Sequence, residues 1–137
     1  MTELSADAFY PHPPAKVWRA LTEPDLIARW LMPGDFRLEV GHRYAMRVPA
    51  LPAAGFSGRI EAEVLGFEPG RMLRVAWTDA ESRETWTLTW TLHAEGRGTR
   101  LLLHQTGGPG LERSAPVMAA GWRGRIAARL TEVLDAL

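Results

Sequence analysis

Apolar and polar residues alternate with a period of two through most of the central part of the chain. The clearest run is Glu84 to His93, in which tryptophans and leucines alternate with threonines. This alternation predicts a strand with one face against a core and the other in solvent. Similar patterns predict five further strands, over Glu3 to Tyr10, His42 to Val48, Gly58 to Phe67, Arg71 to Trp77 and Thr99 to Thr106.

Helical spacing of apolar residues appears at both ends of the chain. Near the N-terminus it predicts two short helices, the first over Pro14 to Leu21 and the second ending before Pro33. Thr22, three residues before Asp25, has the pattern of a capping box for the second helix. A final helix is predicted from Ser114, as N-cap, to Leu137. Its apolar face would carry Met118, Trp122, Ile126, Leu130, Val133 and Leu137.

The segments between the strands are short and rich in glycine and proline. Glu68-Pro69-Gly70 and Glu95 to Gly98 predict turns, Val48 to Gly55 predicts a loop or edge, and Gly107 to Gly110 ends the sheet. Short turns between consecutive strands favour antiparallel pairing. We therefore predict an α+β domain over residues 1–137, with one strand, two short helices, about six antiparallel strands and a long helix.

Composition narrows the classes of function. The chain has 137 residues, with 16 Lys and Arg against 16 Asp and Glu, so it lacks the basic excess typical of nucleic-acid binding. The absence of cysteine excludes disulfides and thiolate metal sites. No secretory pattern or apolar run of bilayer length is present, so we expect a cytoplasmic protein without a membrane span.

Six sequence segments, in this order and spacing, resemble one known family. They are AKVWRALTEPDLIARW (15–30), VGHRY (40–44), EPGRMLRVAW (68–77), TWTLTWTL (85–92), GTRLLL (98–103) and GW (121–122). The chain resembles the Activator-of-Hsp90-ATPase-homologue-1-like family of the START-like, or Bet v 1-like, superfamily. The resemblance implies a helix-grip fold, in which a bent antiparallel sheet wraps around a long C-terminal helix and leaves a cavity between them.

Candidate ligand-binding residues lie on the predicted inward faces. They are Trp30, Tyr44, Met46, Trp77, Trp86, Trp90, Gln105, Met118 and Trp122. Large aromatic residues bury much area in any core, so core packing is the simpler interpretation of any single tryptophan. Several together also suit the wall of an apolar pocket. Tyr44 and Gln105 would orient a ligand, or Tyr44 would reach solvent and Gln105 would cap a strand end.

The sequence predicts neither a catalytic group nor a cofactor. His12, His42, His93 and His104 are scattered without metal-site spacing. The resemblance places Gln105 where relatives commonly carry histidine, and an amide cannot transfer protons as imidazole can. We expect a small protein that binds an apolar molecule. The alternatives are a polyketide-cyclase-like enzyme and a chaperone-associated or stress-response module, and homodimerisation is compatible with each.

Overall fold

The strands form one antiparallel sheet in the order β1-β6-β5-β4-β3-β2. The computed structural model describes residues 1–47, 49–50 and 57–137. The strands within these residues are β1 (Thr2–Tyr10), β2 (Arg43–Arg47), β3 (Arg59–Glu68), β4 (Met72–Asp79), β5 (Thr85–Glu95) and β6 (Gly98–Gly107). Five strands thus follow the two short helices. Apart from Pro49 and Ala50, the predicted loop Val48 to Gly55 lies outside the described residues, as does the end of the strand predicted to reach Val48.

The helices lie where the sequence predicts them, but the last one is not uniform. Helix α1 spans Pro14–Thr22 and α2 spans Pro24–Trp30. After a 3-10 turn at Pro109–Leu111, the C-terminal part consists of α3 (Ala115–Gly124), a π-helical segment at Arg125–Arg129 and α4 (Leu130–Asp135). Within the described residues, no helix is both long enough and apolar enough to span a bilayer.

The predicted cap of α2 is wrong, whereas Ser114 lies at the predicted N-cap position of α3 but does not cap the helix through its side chain. The hydroxyl of Thr22 donates to the carbonyl of Trp18 at 2.8 Å, and α2 begins after Glu23 without a side-chain cap. The hydroxyl of Ser114 donates to the carbonyl of Leu111 at 3.0 Å and leaves the first turn of α3 uncapped. In each case the hydroxyl bonds to the turn that precedes it, an alternative open to Ser and Thr.

The strand register brings the predicted inward faces together. Trp77 pairs with Trp86, and Trp90 pairs with Leu103. Because side chains alternate across a strand, these residues share one face of the sheet. The core is made of this face, α1, α2 and the C-terminal helices. Leu137 is the exception on the final helix: it is 38% exposed, because α4 ends at Asp135.

Candidate ligand-binding site

Four tryptophans pack against one another between the sheet and the helices. Trp122 of α3 contacts Trp77 and Trp90, with ring centroids 5.6 and 5.2 Å away. Trp30 of α2 lies edge-on to Trp90 at 5.7 Å. Edge-to-face aromatic pairs add about 0.5–1.5 kcal/mol each beyond the area they bury. The fold thus joins four predicted site residues in one buried cluster, which we call the tryptophan cluster.

A buried hydrogen bond fixes Trp122 to the sheet. Its Nε1 donates to Oε1 of Gln105 at 2.7 Å. Gln105 is fully buried on the inward face of β6, so it does not act as an exposed strand cap. The neighbouring His104 faces outward and contacts Glu3. Because an indole nitrogen can only donate, the orientation of the Gln105 amide is determined, and its Nε2 is left without a partner in the described residues.

Two small voids lie beside the tryptophan cluster. The α2 void, of about 30 Å³, is lined by Leu21, Ile27, Trp30, Leu31, Met32, Gly34, Phe36, Tyr44, Met46, Leu73, Val75, Trp77 and Trp90. The α3 void, of about 20 Å³, is lined by Ile60, Trp77, Asp79, Ser82, Glu84, Trp86, Leu111, Ser114 and Met118. Each has room for one or two water molecules. Among the described residues, these two voids therefore leave little free space beside the tryptophan cluster.

The nine predicted site residues separate into three groups around these voids. Five line the α2 void: Trp30, Tyr44, Met46, Trp77 and Trp90. Trp77 also lines the α3 void, together with Trp86 and Met118. Gln105 and Trp122 line neither void but bond to each other. Trp77, in both walls, connects the two regions.

Part of the α2 void is formed by the chain after α2, which no sequence pattern indicated. Met32 and Phe36 are buried in its wall, and Gly34 forms an isolated antiparallel bridge with Met46. A Cβ added at Gly34 would lie 3.2 Å from Cγ of Met46, so glycine allows this close approach. The segment has neither helical nor strand periodicity, which is why its apolar residues carry no recognisable pattern.

Tyr44 is half-buried and lies in the wall of the α2 void. Its ring stacks on His42, with centroids 5.7 Å apart, and meets Phe36 edge-on at 5.5 Å. Burial raises the pKa of Tyr44 to about 12, and the nearby indole N–H of Trp77 reduces this rise. The two groups nevertheless lie outside hydrogen-bond geometry, since Nε1 of Trp77 has no partner.

Every unpaired buried polar side-chain atom in the described residues is a donor. These atoms are Nε1 of Trp77, Nε2 of Gln105 and Nε of Arg125. Burial, together with the nearby charge of Arg129, lowers the pKa of Arg125. Arg125 forms no ion pair with another described residue. An unpaired buried polar group is expensive, so these three donors are candidates for contact with water or a ligand.

Asp79, at the edge of the α3 void, has hydrogen-bond partners within the protein. The carboxylate of Asp79 accepts hydrogen bonds from the backbone nitrogens of Ser57, Glu81 and Ser82. The Glu84 side chain lies so close to Gly110 that a Cβ there would be 2.4 Å from its oxygen. Glycine in this turn therefore permits tight packing. Among the described residues, no group of three or more His, Asp or Glu side chains is placed to hold a metal ion.

The bent antiparallel sheet, the two short helices and the C-terminal helix define a helix-grip protein. The chain belongs to the family described as Activator of Hsp90 ATPase homolog 1-like protein, whose model matches residues 11–135. No curated protein matches the chain.

Solved structures share this fold. Protein MLL2253 from Mesorhizobium loti is 32% identical, with a TM-score of 0.87 and coverage of 98% of both chains. Bacillus halodurans protein BH1534 is 24% identical, with a TM-score of 0.76 and coverage of 98% of this chain and 97% of its own. DynU16, from the dynemicin biosynthetic locus, is 21% identical, with a TM-score of 0.81; the match covers 97% of this chain but 47% of DynU16.

Proposed function

We propose that this protein binds a small apolar molecule between the sheet, α2 and α3, in the space that Trp122 now occupies. One observation carries the proposal: Trp122 packs on Trp77, and Trp77 lies in the walls of both voids. A ligand that displaced Trp122 would have the volume of an indole together with the two voids. The α2 side of that space is lined without any charged residue, as in most ligand pockets, whereas the α3 side also contains Asp79, Ser82, Glu84 and Ser114.

The helix around Trp122 is locally weak, which supports such a displacement. Gly121 and Gly124 flank the sequence Trp122-Arg123, and each costs about 1 kcal/mol of helix stability relative to alanine. A Cβ at Gly124 would meet no atom within 4 Å, so packing does not require glycine there. The π-helical segment Arg125–Arg129 follows directly. π-Helical turns inside α-helices are frequent at functional sites.

The energetics set a lower limit on the size of the ligand. Exposing the Trp122 side chain would lose about 4–6 kcal/mol of apolar burial. Breaking its bond to Gln105 would add about 1 kcal/mol. A ligand must bury more apolar area than the indole gives up, so we expect a molecule larger than one bicyclic ring.

Indole N–H signals test the proposal directly. The chain has six tryptophans, and single Trp→Phe variants would assign their ¹H–¹⁵N signals. We expect diphenylmethane, an uncharged two-ring probe, to shift the signals of Trp77, Trp90 and Trp122 in a saturable manner. Trp18 lies on α1 outside both voids and serves as an internal control. Shifts of Trp18 alone, or of no signal, would contradict a pocket at the tryptophan cluster.

The alternative functions have no residue-level support in the described part of the chain. The likeness to DynU16 is one of fold, and the family description names Hsp90 ATPase activation for the family as a whole. Turnover of polyketide-like substrates, or a complex with an Hsp90-type chaperone, would favour the enzyme or the interaction module respectively.

A further inference from the structure

We infer that the ligand carries an uncharged carbonyl oxygen, which accepts a hydrogen bond from the hydroxyl of Tyr44 in the α2 void. Trp77 lies in the wall of the same void. This inference rests on the proposed function. It starts from the α2 void, where these two polar side chains lie together in an otherwise apolar wall. Neither forms a side-chain hydrogen bond within accepted geometry to a described residue, and Nε1 of Trp77 is buried as well.

The chemistry of the two groups fixes the direction of the hydrogen bonds. An indole nitrogen has no lone pair to offer, so Trp77 can only donate. Its Nε1 is buried without a partner, and the hydroxyl of Tyr44 lies in the wall of the same void. Tyr44 is a protonated phenol at neutral pH, so it can donate its proton as well. No described side chain receives it, and an acceptor on a ligand in the void would do so.

The lining of the void favours a neutral acceptor. None of the residues that line it is charged. A carboxylate placed there would lose its hydration without gaining a cationic partner, which is far more costly than burying a carbonyl. A ketone, quinone or ester oxygen needs only the hydrogen bond that Tyr44 supplies.

The other unpaired polar atoms of the interior are also hydrogen-bond donors. Gln105 and Arg125 also leave buried nitrogens unpaired, and no buried side-chain acceptor among the described residues is left without a donor. The unpaired buried donors of the protein therefore suit a ligand that is rich in hydrogen-bond acceptors and poor in donors.

Three probes of similar shape test the inference: diphenylmethane, benzophenone and diphenylacetate. Benzophenone replaces the central methylene with a carbonyl, and diphenylacetate adds a carboxylate. We expect benzophenone to bind roughly three- to tenfold more tightly than diphenylmethane, as one uncharged hydrogen bond allows. Diphenylacetate should bind more weakly than both. Dissociation constants would come from NMR titration of the wild-type protein.

Two tyrosine variants provide the matched comparison. Tyr44→Phe should reduce the ratio of benzophenone affinity to diphenylmethane affinity to about one. Tyr10→Phe removes the other tyrosine hydroxyl, which is bonded to the carbonyl of Ile126. Tyr10 lines neither void, so this variant should keep the preference despite any loss of stability.

The outcomes separate the two proposals. Equal binding of diphenylmethane and benzophenone by the wild type would overturn the carbonyl inference and leave apolar binding in place; the α2 void would then hold water only. Tightest binding of diphenylacetate would also overturn it, in favour of an anionic ligand. A preference that survives in Tyr44→Phe would overturn the role of Tyr44. If none of the three binds, the proposed function fails and the inference fails with it.

Discussion

The indole nitrogen of Trp122 donates a 2.7 Å hydrogen bond to Oε1 of Gln105, and this buried contact joins α3 to strand β6 of the sheet. The bond holds the tryptophan between Trp77 and Trp90. It also leaves the amide nitrogen of Gln105 unpaired. The contact therefore closes the interior, but it does not satisfy every polar atom that it buries.

Replacing one or the other partner of this bond should lower the free energy of unfolding by different amounts. Trp122→Phe would leave both polar ends of the Gln105 amide buried and unpaired, and we expect it to lower the free energy of unfolding by about 2–4 kcal/mol. Gln105→Met leaves the indole N–H of Trp122 unpaired but removes the unpaired amide nitrogen, so the number of unpaired buried groups does not rise and the cost should be smaller, about 0–1.5 kcal/mol. Urea denaturation of both variants measures the difference.

The double variant is the control for this interpretation. Once Gln105 is methionine, Trp122→Phe no longer leaves an amide unsatisfied, so the two changes should be less than additive by about 1–2 kcal/mol. Strict additivity would mean that Trp122 contributes packing alone.

Trp122→Ala should convert the filled interior into an open cavity. Loss of a buried tryptophan side chain costs about 3–5 kcal/mol, and the indole-sized space beside Trp77 would be apolar. Added indole should bind there and raise the melting temperature of this variant but not of the wild type. Trp18→Ala, outside both voids, is the matched control. No rescue by indole would mean that the surrounding residues collapse into the space.

Tyrosine ionisation should weaken the fold only in strong alkali. Unfolded tyrosine loses its proton near pH 10, whereas burial raises the pKa of Tyr44 to about 12 and that of Tyr10 still further. Between these values the unfolded state binds fewer protons, so stability falls as pH rises above about 10 and is fully present below it. Near-ultraviolet absorbance should show a higher midpoint for folded protein than for protein in guanidinium. Equal midpoints would place both hydroxyls in solvent.

The sequence predicts the strand residues of the tryptophan cluster, because alternation alone determines which strand residues face inward. Trp77, Trp86, Trp90 and Gln105 are buried for this reason. Their partners could not be predicted in the same way. The bond from Trp122 to Gln105 depends on where α3 crosses the sheet, and periodicity within one element does not determine that position.

Less of the α2 void could be predicted from the sequence. Met32 and Phe36 come from a segment without a repeating pattern, and the bridge between Gly34 and Met46 fixes that segment. Alternation also cannot distinguish a filled aromatic core from an open pocket, because both require apolar residues at the same positions. The hydroxyls of Thr22 and Ser114 were misjudged because each has two alternative backbone partners.

Asp79 should make the protein sensitive to acid. Burial disfavours its charge, but hydrogen bonds from Ser57, Ser82 and Glu81 outweigh that effect and hold the pKa of Asp79 below its ordinary value. Its contribution is therefore present above the unfolded pKa, near 4, and is lost as pH falls through the folded pKa. Asp79→Asn should lower stability at neutral pH by about 1–3 kcal/mol and reduce the loss between pH 7 and acid. If the urea midpoints of the wild type and Asp79→Asn fall equally between pH 7 and acid, other carboxylates cause the acid sensitivity.

Gly124→Ala tests whether the helix must open before a ligand displaces Trp122. Gly124 has ordinary helical angles, with φ −69°, and open space at its Cβ position, so alanine should stabilise the protein by about 0.5–1 kcal/mol. If local opening of the helix precedes binding, the same stabilisation raises the cost of opening. Association of diphenylmethane should then slow by roughly two- to fivefold.

Gly66→Ala on β3 is the control for Gly124→Ala, because a Cβ there also meets no atom within 4 Å but lies outside the helix. Stopped-flow tryptophan fluorescence would give both association rates. A stabilised Gly124→Ala protein with the wild-type association rate would show that the ligand enters without opening α3. The route would then lie past the segment between α2 and β2, where Phe36 and Tyr44 pack edge-on against each other.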